Sequence, residues 1–355
     1  MSDQFRDLLK QVGSGSHTSK PLTRDQAALA TRLMLTQEAT PAQIGAFLIA
    51  HRIKRPVPEE LAGMLDAYDQ LGPRVGGIPR NPVTILGCPY DGRSRSVPVT
   101  AITALLLAAR GQPVLLHGGD RMPTKEGLPL IEIWRHLGLS LDRLALDQVQ
   151  ALLGETNLGF LYQPRHFPEA ETLVPYRQQI GKRPPVATLE LMWSPYGGKC
   201  HTVVGYVHPP TEDFARDTFT LRGMGPLTTV KGVEGSCDLP RSRTAIIGLE
   251  QPDGSFERLL LHPRDYGYAG EEVALESDDQ ALEAIAAAID GKPGELMRTA
   301  IWSGGFYLWR CGSCDSIEAG LAQAEESLKS GQVAAKLKLL QQQVQGMGTA
   351  AAQVS

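Results

Sequence analysis

In this chain residues 83–127 read VTILGCPYDGRSRSVPVTAITALLLAARGQPVLLHGGDRMPTKEG, and this stretch sets the fold class. Val83–Leu86 is a short β-branched run that ends at Gly87, and the composition of Gly87–Gly92 predicts a turn. An apolar helix is predicted over Thr100–Ala109 and a second buried strand over Pro113–Leu116. Two parallel strands joined by a helix form a βαβ unit. Both glycine-containing loops leave the carboxyl ends of their strands, which is where ligands bind in an open α/β sheet.

Composition limits the class of protein. The formal net charge is −4 over 355 residues and the sequence pI is about 6.1, so no global basic field attracts nucleic acid. No apolar run is long enough to span a membrane. The N-terminal residues MSDQFRDLLKQ are charged and lack the apolar core of a signal peptide. We therefore expect a cytoplasmic protein without a membrane partner.

The cysteines give little support for a metal site. Cys311 and Cys314 are the one closely spaced pair among five cysteines. A tetrahedral zinc site needs four ligands, and the sequence offers no second pair. We expect reduced thiols in a C-terminal helical region.

Patterns on either side of the βαβ unit divide the chain. Helical spacing recurs from Phe5 to Asp69, and residues 72–82 are rich in Gly and Pro. Later strands are predicted at Val203–Val207 and Phe219–Leu221. We predict a helical subdomain over 1–72, an α/β domain over 73–335 that returns in part to the helical subdomain, and a flexible tail over 336–355.

Two further stretches resemble the anthranilate phosphoribosyltransferase family, which is related to nucleoside phosphorylases. Residues 39–65, ATPAQIGAFLIAHRIKRPVPEELAGML, are similar to the family's helical pattern A-T-P-A-Q-I-x-A-F-L-x-A-L-R-x-K-G. Residues 157–183, NLGFLYQPRHFPEAETLVPYRQQIGKR, are similar to G-x-G-F-x-x-A-P-x-H-H-P-A-M followed by P-x-R. The resemblance implies a class IV phosphoribosyltransferase-like fold, with a small helical subdomain beside a larger α/β domain whose sheet is mainly parallel.

The site loops depart from the family's patterns. Against G-T-G-G-D-G, the first loop keeps Gly87, Asp91 and Gly92 but has Cys88, Pro89 and Tyr90 in the three positions between them. Pro89 has no N–H to donate and Tyr90 adds bulk, which argues against tight pyrophosphate capture in the family's manner. Val99 stands where the family has Ser, and Cys237 is a soft and therefore poor magnesium ligand.

The resemblance nevertheless implies a set of site residues, because pentosyl transfer needs a pyrophosphate cradle, a magnesium ion and groups that orient the acceptor. The donor-binding candidates are Gly87, Asp91, Gly92, Thr100, Gly118, Thr124 and Lys125. The catalytic candidates are Arg177, His117 and His166. The candidate Mg²⁺ ligands are Glu234 and Asp238, which are hard oxygen donors.

Two functions remain open from the sequence. The first is a diverged glycosyltransferase that moves a pentosyl group from a phosphorylated ribose donor to a small aromatic or base-like acceptor other than anthranilate. The second is a non-catalytic protein that binds single-stranded or double-stranded nucleic acid through a basic cleft rim. The rim comprises Arg93, Arg95, Arg121, Lys125, Arg165, Arg177, Lys182 and Arg183, with Arg241 and Arg243 as a possible extension. We also expect a homodimer through the helical subdomain, where Leu8, Leu9, Phe47 and Leu48 exceed the apolar needs of one small bundle.

Overall fold

Threonine caps begin two helices of the N-terminal subdomain. In the computed structural model, which describes residues 3–15, 17–79, 82–251 and 253–352, the side chains of Thr23 and Thr40 accept hydrogen bonds from the backbone N–H groups of Gln26 and Gln43. Each glutamine accepts in return from its threonine N–H, which completes a capping box. The bundle helices are α1 (Asp3–Gly13), α2 (Arg24–Leu35), α3 (Pro41–Lys54) and α4 (Pro58–Leu71).

A seven-stranded sheet forms the centre of the larger domain. Its strands are β1 (Val83–Gly87), β2 (Val114–Gly118), β3 (Leu158–Tyr162), β4 (Cys200–Gly205), β5 (Leu227–Val230), β6 (Ala245–Glu250) and β7 (Phe256–Leu261), in the order β3-β2-β1-β4-β5-β6-β7. The first five strands pair in parallel, whereas β6 and β7 are antiparallel. The predicted α/β fold with a mainly parallel sheet is confirmed.

Helices connect the strands and cover the sheet. They are α5 (Thr100–Ala109), α6 (Leu130–His136), α7 (Leu146–Thr156), α8 (Gln163–His166), α9 (Pro168–Glu171), α10 (Val174–Ile180), α11 (Val186–Met192), α12 (Pro209–Arg222), α13 (Asp278–Ile289), α14 (Glu295–Arg310), α15 (Ile317–Lys329) and α16 (Gln332–Ala352). Within the described ranges, no helix combines the length and the apolar character needed to cross a bilayer. Cys311 and Cys314 follow α14 as free thiols.

The direction in which strands are added reverses at β1. This strand lies between β2 and β4, so the chain builds one side of the sheet first and then returns to build the other. In doubly wound sheets, the carboxyl ends of the strands at such a reversal border the ligand crevice. The loops after β1, β4 and β5 therefore lie where a site is expected.

Later helices pack against the N-terminal bundle. The bundle core includes Phe167, Leu173 and Leu189 from segments near α9, α10 and α11, and Phe219 from α12. Charges fix the same contact, because Arg222 on α12 pairs with Asp66 and Asp69 on α4. Apolar and ionic contacts thus both join the helical subdomain to the α/β domain.

Two predictions about secondary structure are wrong. The predicted strand Phe219–Leu221 lies inside α12, which Pro209 opens and Gly223 ends in a left-handed conformation; β5 follows it. Ala215 and Phe219 are buried four residues apart, which is helical spacing. The predicted flexible tail is instead the helix α16, whose Val333, Leu340 and Val344 are buried against the α/β core. Residues 353–355 of that tail lie outside the described residues.

The apolar residues offered for a homodimer are used within one chain. Leu8, Phe47 and Leu48 are buried in the bundle core, and Leu9 packs against it. The Phe5 ring contacts the Phe47 ring at a centroid distance of 5.4 Å, which joins α1 to α3. The dimer stays a prediction, and these residues no longer support it.

Close packing of α2 on α4 gives a test of the helical subdomain. A Cβ at Gly63 would lie 2.0 Å from the carbonyl oxygen of Arg24, so Gly63→Ala forces the two helices apart. We expect a loss of about 1–3 kcal/mol in the free energy of unfolding, measured by urea denaturation. The control is Gly154→Ala in α7, where a Cβ meets only Ile78 at 3.7 Å. That change should be neutral or stabilising by up to about 1 kcal/mol, and equal effects at the two positions would contradict the packing.

Candidate functional site

The loop after β1 is filled by its own side chains. Cys88, Tyr90 and Asp91 are all buried. Gly87 is required by packing, because a Cβ there would lie 2.2 Å from the carbonyl oxygen of Leu191. Gly92 has φ 67° and a Cβ there would lie 2.5 Å from the Gly127 carbonyl. Both glycines of the predicted cradle thus permit close backbone contacts between elements of this chain.

Tyr90 and His117 form a buried hydrogen-bonded chain. His117 Nε2 lies 3.0 Å from the carbonyl oxygen of Trp193, so Nε2 carries the proton and donates it. His117 Nδ1 is then an acceptor, and the Tyr90 hydroxyl donates to it. Burial lowers the pKa of His117 to about 4, although the bond to Trp193 opposes this. At neutral pH His117 is uncharged and both of its ring nitrogens are engaged.

Arg93 lies against Asp238, one of the two candidate metal ligands. Its Nη1 donates to Asp238 Oδ2 and its Nη2 to Ser96 Oγ at 2.6 Å, with the guanidinium buried. Asp238 also accepts from the Val99 backbone N–H at 3.0 Å and from the Thr100 hydroxyl at 2.8 Å. Both carboxylate oxygens of Asp238 are therefore taken by donors of this chain.

Glu234, the second candidate metal ligand, is engaged in the same way. Its carboxylate accepts from the backbone N–H groups of Ser94, Arg95 and Ser96 and from the Ser96 hydroxyl. Lys125 Nζ lies 3.1 Å from Oε2. Burial opposes ionisation, but the Ser96 hydrogen bond and the Lys125 charge lower the pKa of Glu234 to about 2. We call the pairing of Arg93 and Lys125 with Glu234 and Asp238 the cation clamp.

A magnesium ion does not fit these residues as they are arranged. Mg²⁺ requires free oxygen ligands in octahedral geometry and usually keeps several waters. The cavity beside Gly92, Arg93 and Thr100 measures about 20 Å³, which is room for about one water molecule. Cys237 is buried, and its thiol donates to the Gly87 carbonyl at 3.0 Å. Across the described part of the chain, no group of three or more His, Cys, Asp and Glu side chains is placed to hold a metal ion.

Arg177 is buried and already paired. Its Nη2 donates to Glu190 Oε1, and both side chains are almost fully removed from solvent. Burial alone would lower the pKa of Arg177, but the Glu190 charge raises it above the usual value, so the guanidinium stays charged. Among the residues that the structure describes, neither Arg177 Nε nor Glu190 Oε2 finds a hydrogen-bond partner. The pair lies within electrostatic reach of Tyr68 on α4 and Asp91 in the β1 loop.

The other predicted site residues lie further apart. His166 accepts from the Tyr162 N–H through Nδ1 and donates to the Leu144 carbonyl through Nε2, which places it beside β3. Thr124 is exposed with φ 81°, and Gly118 ends β2. The structure thus brings Gly92, Thr100, Lys125, Glu234 and Asp238 together, and places Tyr90, His117, Arg177 and Asp91 in a second, buried group.

Much of the predicted basic rim is neutralised. Arg121 pairs with Glu132 and Asp278, and Arg241 is buried against Glu295. Arg93, Lys125 and Arg177 are paired as described above. Arg95, Arg165, Lys182 and Arg243 are exposed, and Arg183 is half-buried. The rim is therefore discontinuous.

The open space of the site is a cleft that the sequence analysis did not identify. It measures about 370 Å³ and lies between the helical subdomain and the carboxyl ends of β4 and β5. Its lining includes Arg52, Arg55, Arg183, Tyr206 and Phe214. Arg52 Nε donates to the Arg183 carbonyl at 2.9 Å across the cleft. Arg183 Nε lies 3.3 Å from Asp91 Oδ2, which links this cleft to the β1 loop.

A signal for the cleft is present in the basic run His51-Arg52-Ile53-Lys54-Arg55 at the end of α3. Within this run His51 is buried and Lys54 pairs with the buried Glu60, whereas Arg52 and Arg55 are exposed and reach the cleft. In the sequence this run appears only as part of residues 39–65, which resemble the family's helical pattern.

Both domains match known protein families. Residues 6–72 match the helical bundle domain of a glycosyl transferase family, and residues 91–334 match the a/b domain of a glycosyl transferase family. The chain is 30% identical over 342 residues to an anthranilate phosphoribosyltransferase of Bradyrhizobium sp. (strain ORS 278), covering 95% of this chain and 98% of the relative.

Solved structures show the same fold at lower identity. The anthranilate phosphoribosyltransferase of Saccharomyces cerevisiae in complex with PRPP and Mg superposes with a TM-score of 0.83 at 16% identity, covering 98% of this chain and 99% of that one. The anthranilate phosphoribosyltransferase of Thermus thermophilus gives a TM-score of 0.79 at 20% identity, covering 97% and 100%. With both domains matched in order and the sequence similarity extending over nearly the whole length, this chain belongs to the anthranilate phosphoribosyltransferase family.

Proposed function

We propose that this chain is a phosphoribosyltransferase-like protein that binds a phosphorylated ribose in the cleft between its subdomains. The reaction proposed for it is transfer of the pentosyl group to an acceptor other than anthranilate. In that reaction a nucleophile of the acceptor forms a bond to the anomeric carbon while pyrophosphate leaves with the bonding electron pair. The observation that carries the proposal is the group of three arginines, Arg52, Arg55 and Arg183, around the open cleft of a family member.

The cleft suits a phosphorylated sugar in size and chemistry. Its volume of about 370 Å³ lies in the range typical of small-molecule sites. Guanidinium groups offer planar pairs of donors that match phosphate oxygens, and they carry their charge at any physiological pH. Tyr206, Phe214 and Leu191 supply apolar surface in the same cleft. Cations held in place where the charge of a leaving group develops are also what pentosyl transfer requires.

The Arg177–Glu190 pair supports the choice of acceptor class. The family resemblance implies that Arg177 contacts an anionic acceptor, but here the Glu190 carboxylate already occupies its guanidinium. An acceptor carboxylate would have to displace a carboxylate that is tethered and buried, and would leave Glu190 as an unpaired buried charge. The arrangement therefore favours a neutral acceptor and disfavours anthranilate.

Ligand binding tests the cleft. We expect ribose 5-phosphate and phosphoribosyl pyrophosphate to bind the wild-type protein in isothermal titration calorimetry. Arg55→Gln and Arg183→Gln should each weaken binding about tenfold or more, because one charged hydrogen bond contributes about 1.5–3 kcal/mol. The matched control is Arg165→Gln, an exposed arginine that does not line the cleft.

The same titrations separate the two functions that the sequence leaves open. Equal affinity in all three variants would contradict the proposed site. Salt-sensitive binding of single-stranded DNA that ribose 5-phosphate fails to displace would contradict it as well, and would favour the nucleic-acid-binding alternative.

Chemical rescue tests the role of Glu190. Glu190→Ala leaves Arg177 buried without a partner, which should cost about 3–5 kcal/mol of stability. Acetate should recover part of this loss in a thermal unfolding assay, because its carboxylate can pair with Arg177. The wild-type protein and the Arg177→Met/Glu190→Leu variant should not respond to acetate. Turnover of anthranilate with phosphoribosyl pyrophosphate by the wild-type protein would show that Glu190 does not exclude an anionic acceptor.

A further inference from the structure

Two carboxylates at the edge of the sheet are paired with cations that come from other loops. Arg93 belongs to the loop after β1 and Lys125 to the loop after β2, whereas Glu234 and Asp238 follow β5. Arg93 also approaches Glu234, with Nε 3.8 Å from Oε1. The Arg93 guanidinium therefore contacts both carboxylates, and the Lys125 ammonium pairs with Glu234 as well.

The carboxylates are held by neutral donors as well as by charge. Asp238 accepts from the Val99 N–H and the Thr100 hydroxyl, and Glu234 from three successive backbone N–H groups. Glu234 itself has φ 54°, an uncommon conformation for a residue other than glycine. Their side chains are 2–3% exposed, so water does not screen these contacts.

We propose that the cation clamp takes the place of a divalent metal ion, so that this protein binds its ligand without Mg²⁺. The Arg93 and Lys125 charges are supplied by the chain and are present before any ligand arrives. The inference rests on the proposed function only for the identity of that ligand. The metal independence itself concerns residues of this chain and is measured without a sugar phosphate.

A hydrated ion is a poor competitor for this arrangement. To reach Glu234 and Asp238 it would have to lose waters, expel the Arg93 guanidinium from a buried position and break the hydrogen bonds of both carboxylates. The cavity of about 20 Å³ beside Thr100 has no room for an ion that keeps its waters. A larger cavity of about 330 Å³ that Glu234 lines is bordered by Arg95 and Arg243, whose positive charges oppose a cation. Removing the two cations would leave two hard carboxylate ligands with only the exposed Arg95, 3.6 Å from Glu234, to offset their charge.

Manganese binding tests the inference directly, with Mn²⁺ as the probe and electron paramagnetic resonance as the readout of free ion. We expect no saturable binding by the wild-type protein. Arg93→Met/Lys125→Ala should bind one Mn²⁺ saturably, with an affinity at least about tenfold above the limit that the wild-type titration sets, because two positive charges within about 4 Å of the ligands are removed. Mn²⁺ should also raise the melting temperature of this variant and leave that of the wild type unchanged. Adding Asp238→Asn should abolish both effects.

Two controls make the result decisive. Arg95→Ala removes a side chain that is 80% exposed and 3.6 Å from Glu234, and it should create no site. If the double variant does not fold, Lys125→Ala alone, which keeps the buried Arg93, replaces it in the test. This single variant should bind Mn²⁺ through Glu234, more weakly than is expected of the double variant. Stoichiometric Mn²⁺ binding by the wild type that Glu234→Gln/Asp238→Asn abolishes would overturn the inference. Folded charge-removal variants that bind no Mn²⁺ would overturn it too.

In a second titration, chelation with EDTA should leave the affinity of ribose 5-phosphate unchanged within about twofold if both proposals hold. A loss of affinity on chelation would overturn metal independence while leaving the cleft assignment intact. Absence of ribose 5-phosphate binding with or without metal would contradict the proposed function and leave the Mn²⁺ result standing.

Discussion

The buried contact between Arg93 and Asp238 is the interaction on which the ligand edge of the sheet depends. It joins the β1 loop to the β5 loop, and Asp238 in turn accepts from Val99 and Thr100 at the start of α5. Lys125 brings in the β2 loop through Glu234. Three loops that could otherwise move independently are thereby fixed to one another, because breaking a buried pair leaves an uncompensated charge.

The same principle operates at Arg177. There the Glu190 carboxylate pairs with the Arg177 guanidinium, which the family resemblance implies would contact the acceptor. At the cation clamp, Arg93 and Lys125 pair with Asp238 and Glu234, the carboxylates that the resemblance implies would bind a metal ion. In both places the charge expected from a ligand or an ion is replaced by a side chain of the protein. Open space lies further along the crevice, where Arg52, Arg55 and Arg183 face the cleft. The proposed ligand position follows from that redistribution of charge.

Sequence patterns predict the parts of this fold that local interactions determine. The helical spacing from Phe5 to Asp69 and the βαβ unit through Thr100–Ala109 are local, and the structure contains both. The strand prediction at Phe219–Leu221 is wrong because β-branched and aromatic residues favour strands until tertiary contact of a helical face overrides them. The prediction of a flexible tail is wrong because the Gln- and Ala-rich composition of α16 resembles that of a polar tail.

The candidate site is less predictable for a physical reason. Arg93 and Asp238 are separated by 145 residues, and only the folded sheet brings them together. The individual residues Glu234, Asp238 and Arg177 are visible in the sequence, but which of their atoms are already bonded is not. Likewise, the local sequence around Arg52 does not indicate that its side chain donates to the Arg183 carbonyl across the cleft.

The central claim is that cations of this chain, and not a metal ion, neutralise Glu234 and Asp238 while a phosphate is held among the cleft arginines. A crystal structure of the wild-type protein soaked with Mn²⁺ and ribose 5-phosphate tests it most directly, with anomalous scattering used to locate manganese. The account predicts no anomalous peak between Glu234 and Asp238, Arg93 in its present place, and phosphate density beside Arg52, Arg55 and Arg183. A manganese ion bonded to both carboxylates, with Arg93 displaced, would contradict it.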